Sequence, residues 1–145
     1  MNWATRRHVH VDRAASAWLI RRFVDEAAEF VFVDDPADVP RDATGFDMRG
    51  VELGHHQGRC TFETLIAHFD LAADPALDQI GQIVHEADLH DERYDQPAAP
   101  GLDTLIRGLT MTSPNDVSTL ALTDQIFDGL YEYLRRQILA GRPPA

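Results

Sequence analysis

Residues 50–60, GVELGHHQGRC, bring Glu52, the adjacent His55 and His56, and the only cysteine, Cys60, into eleven positions punctuated by glycines. Imidazole nitrogens and a carboxylate gathered on one turn are donors for a divalent ion such as Fe, Mn or Zn. An unbroken strand would place Glu52 and His55 on opposite faces. Gly54 has the backbone freedom to bring His55 round to the same side. The spacing is not that of the helical His-Glu-x-x-His zinc motif. A polar turn with one histidine held by a carbonyl is the plainer alternative, and spacing alone leaves both open.

A second candidate is VHEADLHDE, residues 84–92. On a helix, His85, Asp88 and Glu92 stand at i, i+3 and i+7, in a row flanking the apolar stripe. Bundle helices present metal ligands this way, although an acidic protein also carries such rows simply as surface. A third is RRHVHVD, residues 6–12, which alternates: Val9 and Val11 point to one side, His8, His10 and Asp12 to the other. That reads as a half-buried strand. Asp12 there either fixes the tautomer of His10 or caps the helix beginning beside it. Arg22, on the polar side of that helix, could clamp an anion or pair with acids. Cys60 precedes a helix start, where the dipole favours a thiolate, or it is an inert core residue.

Together these predict one mononuclear site with Glu52, His55, His85 and Asp88 as metal ligands and positions left open for a small molecule. His10, Asp12, Arg22 and Cys60 are the candidate catalytic groups. His56, His90 or Glu92 could replace a ligand.

The elements that must position these residues are legible in outline. RAASAWLIRRFVDEA has Ala15, Trp18, Leu19 and Phe23 at helical spacing, and EFVFVDD reads as a short strand. The loop DPADVPRDATG follows. GFDMRGVEL can hold one or two short strands broken at Gly50. Thr61 is the expected N-cap of FETLIAHF. Asp74-Pro75, a cap followed by proline, opens a helix striped by Leu77, Ile80, Val84 and Ala87. PAAPG separates it from a short helix, LDTLIRGL. Ser113-Pro114 with Asp116 opens the longest helix, striped by Val117, Leu120, Phe127, Leu130, Leu134 and Ile138 and stopped by GRPPA. The pattern predicts a single α+β domain over 1–145, with a small N-terminal strand layer packed against a predominantly helical C-terminal part.

Composition narrows the partners. The chain has 145 residues, 44% hydrophobic and 26% charged, as an ordinary one-core globular protein does. Its 24 acidic residues against 13 basic ones give a net charge of −11, which argues against a nucleic-acid partner. No apolar run is long enough for a membrane span, and no apolar segment follows the early arginines as in a signal peptide. A single cysteine forms no internal disulfide, so the expected compartment is the reducing cytoplasm. There is no lysine, so every fixed side-chain cation is an arginine, which suits forked contacts to an oxyanion ligand but also follows from a GC-rich genome. Tyr131 and Tyr133 on the last helix could pack on a second subunit in a homodimer, or belong to the core.

The blocks HVDRAASAWLIRRFVDEAAEFVFV, FDMRGVELGHHQGRCTFETL, DPALDQIGQIVHEADLHD and IFDGLYEYLR resemble the C-terminal domain of the chromate resistance protein ChrB family, from about Trp3 to Leu134. The shared pattern falls on Asp12, Arg13, Trp18, Arg22, Glu52, His55, Cys60 and Asp88. Longer members carry an additional N-terminal region and often an arginine in the place of His85, so this chain looks like a stand-alone, histidine-richer branch. The resemblance implies a link to chromate or oxidative stress resistance. The expected function is a metal-dependent enzyme or redox protein acting on a small molecule, with a non-enzymatic metal or oxyanion sensing module as the alternative.

Overall fold

A computed structural model describes residues 1–141. Three strands, β1 (Asn2–Arg6), β2 (Glu29–Val33) and β3 (Ala43–Gly45), form a parallel sheet in the order β2-β1-β3. Five α-helices accompany it: α1 (Val11–Leu19), α2 (Thr61–His68), α3 (Pro75–Leu89), α4 (Ala98–Thr112) and α5 (Asp116–Leu139). The layout is α+β, a small sheet beside a helical majority. No helix among the described residues is long and apolar enough to cross a membrane.

The first strand is not where alternation placed it. Of residues 6–12 only Arg6 is in a strand: extended pairing stops there, and His8 turns the chain with φ 67°. The Asp116 carboxylate accepts the His8 and Val9 N–H groups at 3.2 and 3.0 Å and holds that turn. His10 becomes the N-cap residue of α1, with Asp12 in its first turn, where the helix dipole favours a negative charge. Five alternating residues satisfy a strand template and a turn-plus-helix start equally well, and Asp116, more than 100 residues away, selects the second.

Helix α1 continues as a π-turn over Ile20–Val24. Trp18 packs there with Phe23, Phe127 and Tyr131, while its indole N–H donates to Asp128 at 2.8 Å. This aromatic nest joins α1 to α5. The α3 start is as the sequence predicts: Asp74 accepts from the Ala76 and Leu77 N–H groups, Pro75 opens the helix, and Leu77, Ile80, Val84 and Ala87 are buried.

Other boundaries move. Cys60, not Thr61, is the N-cap of α2. Helix α4 begins at Ala98 and absorbs most of PAAPG, because Pro100 lies in the first turn, where a missing N–H costs no hydrogen bond. Asn115 caps α5 by accepting from Ser118 at 2.8 Å. Leu120, Phe127 and Leu134 of the expected stripe are buried, Leu130 and Ile138 only partly, and Val117 is 64% exposed. Tyr131 belongs to the core and donates to Asp74 at 2.6 Å, whereas Tyr133 is exposed. Gly141 ends α5 at φ 70°, and the rest of the expected GRPPA stop lies outside the described residues.

Candidate metal centre

The start of α1, the loop after Phe46, the start of α2 and the last turns of α3 meet around a cleft of about 470 Å³ lined by Arg6, His10, Asp12, Asp47, His55 and Asp88, among others. Asp12 is its most constrained member, with a side chain only 2% exposed. Its carboxylate accepts from the Thr61 N–H at 2.8 Å and the Phe62 N–H at 3.0 Å. A first-turn aspartate of one helix thus satisfies the orphan N–H groups of another, and both helix dipoles favour its charge.

Asp47 approaches from the loop with φ 52°. Its carboxylate accepts from the Thr61 hydroxyl at 2.7 Å and meets Arg13 Nε at 2.9 Å, while Arg13 Nη2 donates to the Asp47 carbonyl at 2.9 Å. Arg13 also donates to the Arg7 and His8 carbonyls, so one guanidinium pins this loop to the turn before α1. Burial and the neighbouring Asp12 push the Asp47 carboxyl up to about 7, against the pull of Arg13 and Thr61.

His55 closes the group. Its Nε2 stands 2.9 Å from Asp12, 3.2 Å from Asp88 and 3.8 Å from Asp47. Hydrogen bonds to Asp12 and then Asp88 raise its pKa to about 10. At neutral pH the imidazole is therefore a cation held among carboxylates. One donor atom each from Asp12, His55 and Asp88 lies within 4.8 Å of the others, a spacing from which they could hold a metal ion. His10 is exposed on the rim, its pKa lowered by burial of the ring and by the charges of Arg107 and Arg13.

The four predicted ligands do not share one sphere. His55 and Asp88 come together, and Asp12 and Asp47 stand with them. Glu52 is exposed and lines a different cleft, with Trp3, Asp25, His68 and Phe69. The turn separates it from His55: a Cβ on Gly54 would stand 3.0 Å from the Met48 carbonyl oxygen. Glycine is needed there for close backbone approach, not for swinging His55 toward Glu52. His56 lines the main cleft, but its Nε2 is 2.6 Å from the Glu52 carbonyl oxygen. His90 and Glu92 are exposed on left-handed backbone beyond α3.

His85 belongs to a second, buried group. Its Nδ1 lies 2.5 Å from Glu63 and its Nε2 2.8 Å from Asp91. Burial pulls the imidazole pKa down, but the two carboxylates outweigh it and the net shift is upward. Tyr94 packs edge-on against this ring. Cys60 is fully buried beside the pair, and burial, Asp12 and Glu63 all drive its thiol pKa up. That is the reverse of an activated nucleophile. Arg22 does not line the main cleft; it forms a forked pair with Asp128 at 2.9 and 2.8 Å. Asp47, Glu63 and Asp91 are the acids that spacing did not single out. Glu63 carried a signal, since it stands three residues after the N-cap as in a capping box.

The family model described as ChrB, C-terminal domain, matches residues 3–134. Protein ChrB of Cupriavidus metallidurans is 39% identical over 131 residues, which cover 90% of this chain and 40% of that protein. The chain thus spans less than half the length of this relative. No solved structure matches. The match across nearly every element that builds the two histidine groups shows that this chain belongs to the ChrB C-terminal domain family.

Proposed function

We propose that this domain is a mononuclear metal centre acting on a small anionic molecule, with a divalent ion such as Fe, Mn or Zn held by Asp12, His55 and Asp88 and flanked by Asp47. The observation that carries this reading is one imidazole nitrogen facing three carboxylates in an open cleft. The His55 proton stands where a cation is favoured, and its loss would leave one nitrogen and several carboxylate oxygens as hard donors. Such an ion supplies Lewis-acid or one-electron chemistry. Arg6 and Arg49 line the same cleft without a carboxylate partner among the described residues, which suits them to an oxyanion. His10, its pKa lowered, is the neutral base available on the rim. Family membership directs the search toward chromate and oxidative stress, with a cytoplasmic location in keeping with the free cysteine.

One observation favours non-enzymatic sensing as a second reading. Asp12 is also the acceptor for the N-terminus of α2, so whatever engages its carboxylate bears on how that helix is seated. Sensing gives ligand-dependent stability without turnover.

The test is elemental analysis of protein purified without a histidine tag, beside His55→Ala and Asp88→Asn. The expected result is about one equivalent more Fe, Mn or Zn in the wild type than in either variant. A folded wild type that is metal-free and unresponsive to all three ions overturns the proposal.

A further inference from the structure

We propose that Cys60, Glu63 and His85 form a second metal site, buried and chemically distinct from the cleft, that takes one borderline-soft divalent ion of the Zn(II) or Co(II) kind. Sulfur, oxygen and nitrogen donor atoms of these residues lie within 4.8 Å of one another. Cys60 and His85 are fully buried, and Glu63 has 17% of its side chain exposed. A thiolate in the donor set selects Zn(II) or Co(II) over the hard ions suited to carboxylates.

The surroundings of the three donors carry the argument further. Asp91 holds His85 Nε2 at 2.8 and 3.0 Å, which leaves Nδ1 as the nitrogen facing Glu63 and Cys60. A carboxylate behind the distal nitrogen of a metal-ligating histidine fixes its tautomer and orientation. The Cys60 sulfur lies against the Glu63 N–H in the capping box of α2, a backbone donor suited to a thiolate, while the Cys60 N–H donates to Glu63 Oε1 at 3.1 Å. The opposite side of the ring is a poorer site, because Glu86 Oε1 already accepts the Tyr94 N–H at 2.6 Å.

Charge balance also favours an ion here. Counted with His85 as an imidazolium, both ring nitrogens donate to carboxylates, and Glu63, Asp91, His85 and a neutral Cys60 thiol sum to −1. A divalent ion displaces two protons, the Cys60 S–H and the His85 Nδ1–H, both released to solvent. The sum with a thiolate and a neutral imidazole is again −1. The buried group thus exchanges two protons for one ion without gaining charge, so no uncompensated charge is left in the interior. Tetrahedral coordination separates neighbouring N and O donors by about 3.3 Å. Glu63 Oε1, now 2.5 Å from Nδ1, therefore needs only a small withdrawal of a flexible side chain.

The test is a Co(II) titration of the tag-free, metal-stripped wild type, followed by absorption. A thiolate-to-Co(II) charge-transfer band whose final amplitude reports one thiolate-bound Co(II) per chain is expected, together with protection of Cys60 from alkylation in mild denaturant. Cys60→Ser removes the band and lowers total metal by one equivalent. Asp91→Asn keeps the band but weakens binding roughly 10- to 100-fold. Asp88→Asn leaves the band intact, which separates this site from the cleft. Co(II) binding without the band, no Co(II) binding at all, or a band lost in Asp88→Asn overturns the proposal. If Cys60→Ser fails to fold, the wild-type spectrum and the alkylation rates decide alone.

Discussion

The two histidine groups share a plan and differ in their access to water. Each sets one imidazole among carboxylates, and each is built on the first turn of α2 and the second half of α3. His55 keeps 46% of its side chain exposed and opens on a cleft, whereas His85 has none. An imidazolium that water can solvate is removable at little cost. One that is fully buried neutralises two carboxylates that would otherwise face each other in the interior. The first arrangement suits exchange with ligands in the cleft, and the second, in metal-free protein, suits a buried structural charge.

The hinge between them is the start of α2. Asp12 binds its N–H groups from the cleft side, and Glu63 and Cys60 cap it from the other. Removing Asp12 therefore damages both groups and is the largest effect expected. Asp12→Ala leaves the buried Thr61 and Phe62 N–H groups without acceptors and His55 without its shortest ion-pair partner. A loss of about 3–5 kcal/mol is anticipated from breaking a buried, hydrogen-bonded charge. Urea unfolding monitored by tryptophan fluorescence measures it. A loss below about 1 kcal/mol, the range of surface pairs, would remove Asp12 from its proposed place as the joint.

Next in size is the contrast between the two histidines. His85→Ala vacates a fully buried position and strands Glu63, for an anticipated cost of about 2–4 kcal/mol. His55→Ala in metal-free protein costs less, about 1–2 kcal/mol, because its imidazole is half solvated although its partner Asp12 is buried. Equal losses in the two variants would dissolve the distinction between exchangeable and structural cation.

The legibility of the chain follows the same divide. Helix α3 was readable because cap, proline and stripe are all local, and the pairing of His55 with Asp88 came from two motifs that each carried a ligand type. Asp47 was invisible because Arg13 brings it in across a loop, a tertiary contact with no periodic trace. Glu52 reads as a partner of His55 only along the chain; the close packing of Gly54 on Met48 sends the two side chains to different clefts. His85 and Asp88, one turn apart, enter different groups because the row runs along the core boundary. The strand at Asn2–Arg6 escaped notice because three successive buried residues, Trp3, Ala4 and Thr5, erase the alternation of a half-buried strand.

Acid–base behaviour sharpens the comparison further. The folded chain holds a proton on Asp47 up to about pH 7, whereas the unfolded carboxyl releases it near 3.8. Stability is therefore lost as pH rises through that window. His55 acts in the same direction at higher pH: its contribution is fully present below 6.5 and fades as pH approaches about 10. Metal-free protein should weaken steadily from pH 5 to 10, as read from denaturation midpoints in a pH series. His55→Ala should flatten the upper half of that slope and leave the lower half. A stability that rises across this range would contradict both assignments.

The smallest effect is expected where a forked ion pair sits on the surface. Arg22 and Asp128 meet at 2.9 and 2.8 Å, with side chains 38% and 45% exposed. Solvent screens such a pair, so Arg22→Ala should cost only about 0.2–1 kcal/mol. Asp128 still accepts the Trp18 indole N–H, which keeps the aromatic nest in register. Because Arg22 lies on the seam between α1 and α5 and not on the cleft, metal content and oxyanion affinity should be those of the wild type. Arg49→Ala, which removes a guanidinium from the cleft wall, should do the opposite: unchanged stability and weakened oxyanion binding, read by calorimetry with chromate or sulfate. A drop in anion affinity on removing Arg22 alone would move the anion's place from the cleft to the helix seam.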